Sequence, residues 1–300
     1  MADLELSIIV VSWNGKADVL RCLAAIKSAP DRPAVVVVDN ASEDGTVEAV
    51  SVRYPDVAVL KNAANLGYTG GNNVGIKYAM ERGADAVLLL NDDAVLAYDT
   101  VAQLAQAASR CPEAGMLGPS IYALEDPSCF MSAGGTFTDS WHAEHRGLGK
   151  DVSRYGGVTE VDFLSGCALF VTRSTIERIG LLDDRFFAYY EDVDWCYRAG
   201  QAGVKLLVVP QARVWHPDTR VRDAESSHVA YYMARNRLLF LSKHHLGLSL
   251  LARELVVDFL RIINWSVNPK WRHKRPQRNA LIWAVLDYTR GCFGRLGRSF

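Results

Sequence analysis

The sequence predicts an α/β fold built on a mostly parallel sheet flanked by helices, and three observations carry that expectation. Short apolar runs recur at 6–11, 34–38, 57–60 and 86–90. Segments of helical periodicity separate them. Polar residues end the first, second and fourth runs, which suits ligands bound beyond the carboxyl ends of parallel strands. Strands alternating with helices favour a parallel sheet with right-handed crossovers.

Each element is taken in order. Residues 6–11 (LSIIVV) read as a buried strand, and Ser12-Trp13-Asn14-Gly15 turns out of it into a helix over 17–26. The second strand ends at Asp39-Asn40, where Ser42 and Asp44 offer caps for a helix reaching Tyr54. After the third strand, Asn65 to Asn73 reads as a Gly/Asn loop opening a helix through Met80. Residues 112–165 are less regular, with turns at Gly134-Gly135 and Gly156-Gly157. An apolar strand over 163–171 carries Gly166, and Ser174 caps a short helix ending at Gly180. A helix from Glu191 to about Ala202 and a strand over 204–209 come next. The remainder is helical, over 227–244, 246–265 and 279–293. Two regions are expected: 1–225, which carries the sheet and its polar strand ends, and 226–300, a helical C-terminal extension.

The run 86–90 ends abruptly in Asn91-Asp92-Asp93. Two carboxylates beside an apolar wall are costly unless partnered. A divalent cation shared with a diphosphate is one partner, since Mg²⁺ is held by one or two carboxylates plus phosphate oxygens. Capping of the helix near Tyr98, or simply facing water after the strand, is the other reading. Trp13 could face a base or sit in the core. Asp39 could accept from a base or ribose, or could only shape a turn. Gly70 and Gly71 could admit a diphosphate, or could only shape their loop.

Phe186-Phe187-Ala188-Tyr189-Tyr190 runs directly into Glu191, Asp192 and Asp194. Acids in a first helical turn are favoured by the macrodipole. A carboxylate in an aromatic-lined pocket can also have a raised pKa and act as a general base. His216 could complete a metal site with Asp93 or could be structural.

The net charge of -1 over 300 residues gives no general attraction to nucleic acid. From Lys270 onward, however, eight Lys and Arg face only Asp287. There is no G-x-G-x-x-G after the first strand and no G-x-x-x-x-G-K-[ST], so dinucleotide oxidoreductases and P-loop NTPases lose ground. The six cysteines form no C-x-x-C pair, so no zinc site is indicated. No secretory signal or spanning helix is expected, and the cytoplasm is the expected compartment. The amphipathic C-terminal helices can lie on the cytoplasmic face of the inner membrane or form a homodimer.

As an ordered set these motifs resemble the inverting family 2 glycosyltransferases of the GT-A (Rossmann-like) fold. The carrying residues are Asp39, the Asn65 to Asn73 loop, Asn91-Asp92-Asp93, Gly166, Glu191-Asp192 and Trp215-His216. The resemblance covers roughly residues 6–240, and the segment Tyr231 to Phe240 is similar to the rhamnosyltransferase-like branch. It implies a nucleotide-sugar donor, with dTDP-rhamnose leading and UDP-sugars behind. The implied acceptor is a cell-surface glycan or a polyprenyl-linked one, and the implied cofactor is Mg²⁺ or Mn²⁺.

The resemblance also implies roles. Trp13, Asn14, Asp39, Asn65, Gly70, Asn73 and Asp92 would contact the donor. Asp93 and His216 would hold the metal. Asp192 would be the base with Glu191 beside it, and Asp194 and Gly166 would serve the acceptor. Asn91 replaces the first carboxylate of a strict D-x-D, which weakens the metal motif. Two other readings compete: a nucleotidyltransferase, and a degenerate relative that only binds glycan.

Overall fold

Strand β1 (Leu6–Ser12) lies between β2 (Ala34–Asp39) and β4 (Ala86–Asn91), parallel to both. This is a computed structural model, and it describes residues 4–31, 33–149 and 155–298. Strand β3 (Ala58–Lys61) extends the parallel set beyond β2. Strand β11 (Ala168–Thr172) runs antiparallel between β4 and β6 (Ala114–Ala123), and β12 (Lys205–His216) runs parallel to β6. Adding β10 (Thr159–Glu160), the order is β10-β12-β6-β11-β4-β1-β2-β3. Strand β5 (Val95–Leu96) joins β12, and β7 (Phe130–Ser132) joins β6. Strands β8 (Gly135–Phe137) and β9 (Ala143–His145) form a separate hairpin.

Both faces of the sheet are covered, which is why its strands read as continuous apolar runs. On one face Ile8, Val10, Val37, Leu88 and Leu90 pack with Val19, Leu23 and Ile26 of α1 (Lys16–Ser28), Val50 of α2 (Thr46–Arg53) and Leu104 of α4 (Thr100–Arg110). Helix α3 (Gly67–Glu81) covers the other face. A Cβ at Gly71 would come within 2.5 Å of Val11, and one at Gly75 within 2.4 Å of Ile9. These glycines let the helix backbone approach the sheet. The Gly/Asn stretch expected as a loop is therefore mostly helix. Glycine's poor helix propensity is outweighed here by close helix–sheet packing.

Strand β12 is longer than expected. Its register against β6 jumps from Val209↔Pro119 to Arg213↔Ser120, so a bulge absorbs three extra residues and the strand continues to His216. In contrast, β11 is shorter than expected, and residues 163–167 approach it as irregular chain. Thr172, not Ser174, caps α5 (Arg173–Ile179) by accepting from the Thr175 N–H.

The chain clusters into two compact units. The first is Met1–Phe137, Ala143–Leu182 and Asp192–Pro217, and it holds the sheet. The second is Thr138–His142, Asp183–Glu191 and Asp218–Phe300. In the second, α8 (Ser227–Lys243) packs on α10 (Arg275–Thr289) through Tyr231, Tyr232, Ala280 and Ala284. Helix α9 (Leu248–Val267) lies between them in sequence.

The polar donors of 231–237 are spent inside this unit. Arg235 is 1% exposed and donates to the carbonyls of Arg185, Phe186 and Gly294. Arg237 pairs with Glu254 at 3.0 Å and donates to the carbonyls of Ser140 and Trp141. Asn236 Nδ2 lies 2.7–2.9 Å from the carbonyls of Phe186, Ala188 and Tyr189. That loop is strained, with positive φ at Phe187, Tyr189 and Tyr190. Buried donors aimed at its carbonyls hold it in place.

Candidate active site

The loops after β1 and β2 are stapled together. The Asn14 N–H donates to Ser42 Oγ, and Asn14 Oδ1 accepts from the Glu43 N–H at 2.8 Å. Asn14 takes a left-handed φ of 53°, which asparagine tolerates. The Lys16 N–H donates to Asp44. Ser42 thus serves this junction, while Asp44 Oδ1 accepts from the Thr46 N–H at 3.0 Å where α2 begins after Gly45. Trp13 projects from the junction at 53% exposure, which excludes the core reading. Asp39 is buried. Its Oδ2 accepts from the Ser42 N–H, while its Oδ1 has no hydrogen-bond partner among the described residues. A buried acceptor left open is a place for a ligand N–H or O–H.

The expected donor residues of the next segment divide. Asn65 Oδ1 accepts from the Gly67 N–H and shapes the start of α3. Asn73 is buried, donating to the Leu182 carbonyl and accepting from the Leu182 N–H. Both polar ends of Asn73 thus bond to the Leu182 backbone. Gly70 lies within α3, where a Cβ would meet Leu66 at 2.7 Å. The missing side chain lets the turn of α3 pack against Leu66.

Beyond β4, Asn91, Asp92 and Asp93 diverge. Asp92 Oδ2 would lie 2.4 Å from a Cβ at position 15, so Gly15 makes room for this carboxylate. Burial, joined by the charge of Asp93, pushes Asp92 up to about 6 against the pull of the nearby Ser12 hydroxyl. Burial alone would raise Asp93 too, but the hydrogen bond and charge of His216 hold it below its ordinary value. Asp93 Oδ1 lies 3.1 Å from His216 Nε2, and Asn91 Nδ2 lies 3.1 Å from the same nitrogen. The β12 bulge and the pairing of Trp215 with Val95 bring His216 here. No cluster of three or more His, Cys, Asp or Glu ligands occurs among the described residues. The Asp93 carboxylate and the His216 imidazole are of the ligand types that divalent cations take.

Asp192 sits near the start of α6 (Glu191–Gln201) and is half-buried. Its Oδ2 accepts from the Gly166 N–H at 2.8 Å and its Oδ1 from the Val193 N–H. Gly166 is fixed in turn by the Tyr68 hydroxyl, which donates to its carbonyl at 2.5 Å. A Cβ at 166 would lie 3.0 Å from Tyr68 Oη and 3.3 Å from Asp192 Oδ2. Gly166 is thus a cradle for Asp192. Burial raises the Asp192 pKa, opposed by these N–H groups and by the charge of His145. His145 is anchored by Ser132 at 2.9 Å and edges onto Phe163. Beside it, Glu144, Arg146 and Tyr155 line a cavity of about 340 Å³.

Two of the expected acids are buried. Asp194 is 0% exposed and pairs with Arg198 at 2.9 Å, while Arg198 also donates to the carbonyls of Ile179 and Leu181. The pair ties α6 to the chain around Ile179 and Leu181. Glu191 is buried at 6% exposure and belongs to the helical unit. Tyr68 and His145 receive no role from sequence. Nothing local marks either one, because their partners lie across the fold.

The sequence profile described as "Glycosyltransferase like family 2" matches residues 3–237. The chain belongs to this family, and the protein is a glycosyltransferase with the GT-A fold. It is 33% identical over 272 residues to the N-acetylglucosaminyl-diphospho-decaprenol L-rhamnosyltransferase of Mycobacterium tuberculosis (strain ATCC 25618 / H37Rv), covering 82% of this chain and 87% of that relative. It is 26% identical over 272 residues to the dTDP-rhamnosyl transferase RfbF of Shigella flexneri, covering 87% of each chain. The fold is similar to the mannosyltransferase PcManGT from Pyrobaculum calidifontis, solved with GDP-Man and Mn²⁺, at a TM-score of 0.58 and 16% identity. That match covers 95% of this chain and 87% of the other.

Proposed function

We propose that the protein moves a sugar, with inversion, from a nucleoside diphosphate donor to a hydroxyl of a polyprenyl-linked or other cell-surface glycan. The donor we favour is dTDP-rhamnose. The observation that carries the chemistry is Asp192, a half-buried carboxylate of raised pKa held by the Gly166 N–H. The choice of sugar and acceptor is supported by the names of the two rhamnosyltransferase relatives.

In this reading Trp13 stacks on the base, and the open Oδ1 of Asp39 accepts from the base or ribose. Asp93 and His216 hold Mg²⁺ or Mn²⁺ at the diphosphate, with Asp92 beside it near ribose or sugar. When bound, the ion supplies positive charge against the leaving diphosphate. Asp192 takes the proton from the acceptor hydroxyl as it attacks the anomeric carbon from the face opposite the diphosphate. The anomeric carbon passes through an oxocarbenium-like state, and one displacement inverts it. Glu191 supports Asp192 from the preceding position, and the cavity beside His145 receives the acceptor.

The test is a panel of nucleotide sugars incubated with a polyprenyl-diphosphate-linked N-acetylglucosamine, scored by nucleoside diphosphate release and product mass. Transfer from dTDP-rhamnose alone supports the full reading. Transfer from a UDP-sugar replaces the donor. No turnover of any donor, with or without Mn²⁺, favours a glycan-binding relative.

A further inference from the structure

Helix α9 (Leu248–Val267) is built inside out. Its two acids, Glu254 and Asp258, point inward and are 7% and 8% exposed. Glu254 pairs with Arg237 at 3.0 Å, and His142 lies 3.6 Å from it. Its large apolar residues point outward: Val256 is 55% exposed, Phe259 61%, Leu260 58%, Ile263 41% and Val267 73%. Positions 256, 260, 263 and 267 recur at helical spacing, so they form one stripe. Scattered exposed apolar residues need no explanation, but a continuous stripe does.

The chemistry of the neighbouring sequence identifies the stripe's occupant. From 259 to 286 the chain contains no Asp or Glu and six Lys or Arg: Arg261, Lys270, Arg272, Lys274, Arg275 and Arg278. Trp265 and Trp271 stand among them, half-exposed. An apolar stripe flanked by cations and interfacial aromatics matches a surface that lies in the headgroup region of an anionic bilayer. A second copy of the same face would set these cations against each other. No helix among the described residues is long and apolar enough to cross a membrane, so the helix lies along the surface.

We infer that the outer face of α9 and the basic segment after it dock the protein on an anionic lipid bilayer. This does not depend on the donor or acceptor. The full-length protein is sedimented with vesicles of phosphatidylglycerol and phosphatidylcholine, and with phosphatidylcholine alone. Binding is expected only with the anionic vesicles and falls as salt is raised. Lys270→Glu with Arg272→Glu and Lys274→Glu should weaken it by about a hundredfold. Phe259→Ser with Leu260→Ser should weaken it at least about tenfold. Tryptophan fluorescence of the unaltered protein gives a second readout, and lipids brominated near the headgroup should quench it. Absence of both sedimentation and quenching overturns the inference. So does a concentration-dependent dimer, in analytical ultracentrifugation without lipid, that Phe259→Ser with Leu260→Ser dissolves, because the stripe would then be a protein interface.

Discussion

Asp93 Oδ1 and His216 Nε2 lie 3.1 Å apart, one at the end of a parallel strand and the other at the end of a bulged one. If both hold a metal at the donor diphosphate, His216→Ala should weaken Mn²⁺-dependent nucleotide binding at least about tenfold. It should change metal-free binding little. Calorimetry with dTDP or UDP, with and without Mn²⁺, reads the difference. Equal losses in both conditions would assign His216 to the fold.

Asp192→Asn keeps the shape of the side chain and removes the basic oxygen. Turnover should fall by about a hundredfold or more, the usual weight of a positioned base. Donor affinity should stay within about twofold. Because burial raises the Asp192 pKa, its active, deprotonated form is lost as pH falls through a value above the ordinary ~3.9 of aspartate. The acid limb of kcat should therefore lie above that value and be absent from donor binding.

Asn236→Ala strips the donors from the carbonyls of Phe186, Ala188 and Tyr189. Buried carbonyls left unsatisfied cost about 1–3 kcal/mol each, less whatever water recovers. We expect a loss of about 2–4 kcal/mol in urea melts. Asn236→Asp should be worse than Asn236→Ala, since it aims a carboxylate at carbonyl oxygens.

Asp258 titrates at about 6, raised by burial and by Glu254 against the pull of Arg261. The folded protein therefore binds this proton more tightly than the unfolded chain, whose aspartates titrate near ~3.9. Between about pH 4 and about 6, stability should fall as pH rises. Asp258→Asn should flatten that slope and raise stability at pH 7 by up to about 2 kcal/mol. Denaturant midpoints across pH, with wild type and variant side by side, measure it.

Much of this arrangement is legible in the chain itself. The strand ending in Asn91-Asp92-Asp93 stands out because an apolar run stops at three polar residues. The aromatic run before Glu191-Asp192 marks the start of α6 equally clearly. The Asn65 to Asn73 segment misleads because its glycines signal a loop locally. Only the sheet beneath, at Val11 and Ile9, explains why they belong in a helix. Asp194 can be separated from Asp192, because Arg198 comes four residues after it. Tyr68 and His145 carry no such signal, since their partners come from distant strands and loops.

The bulge of β12 has a consequence for how this protein can change over time. Residues 210–212 are surplus to the pairing with β6, and His216 stands a fixed number of residues beyond them. Chain length, more than residue identity, sets where the imidazole stands. Where β12 slips by one residue against β6 to absorb a deletion in 210–212, His216 turns to the opposite face of the sheet. Losing two would keep the face but draw it back by about 6.6 Å. Substitutions at the exposed Gln211 should be tolerated while deletions should silence the site, which makes this stretch a vernier more sensitive to drift in length than to drift in sequence.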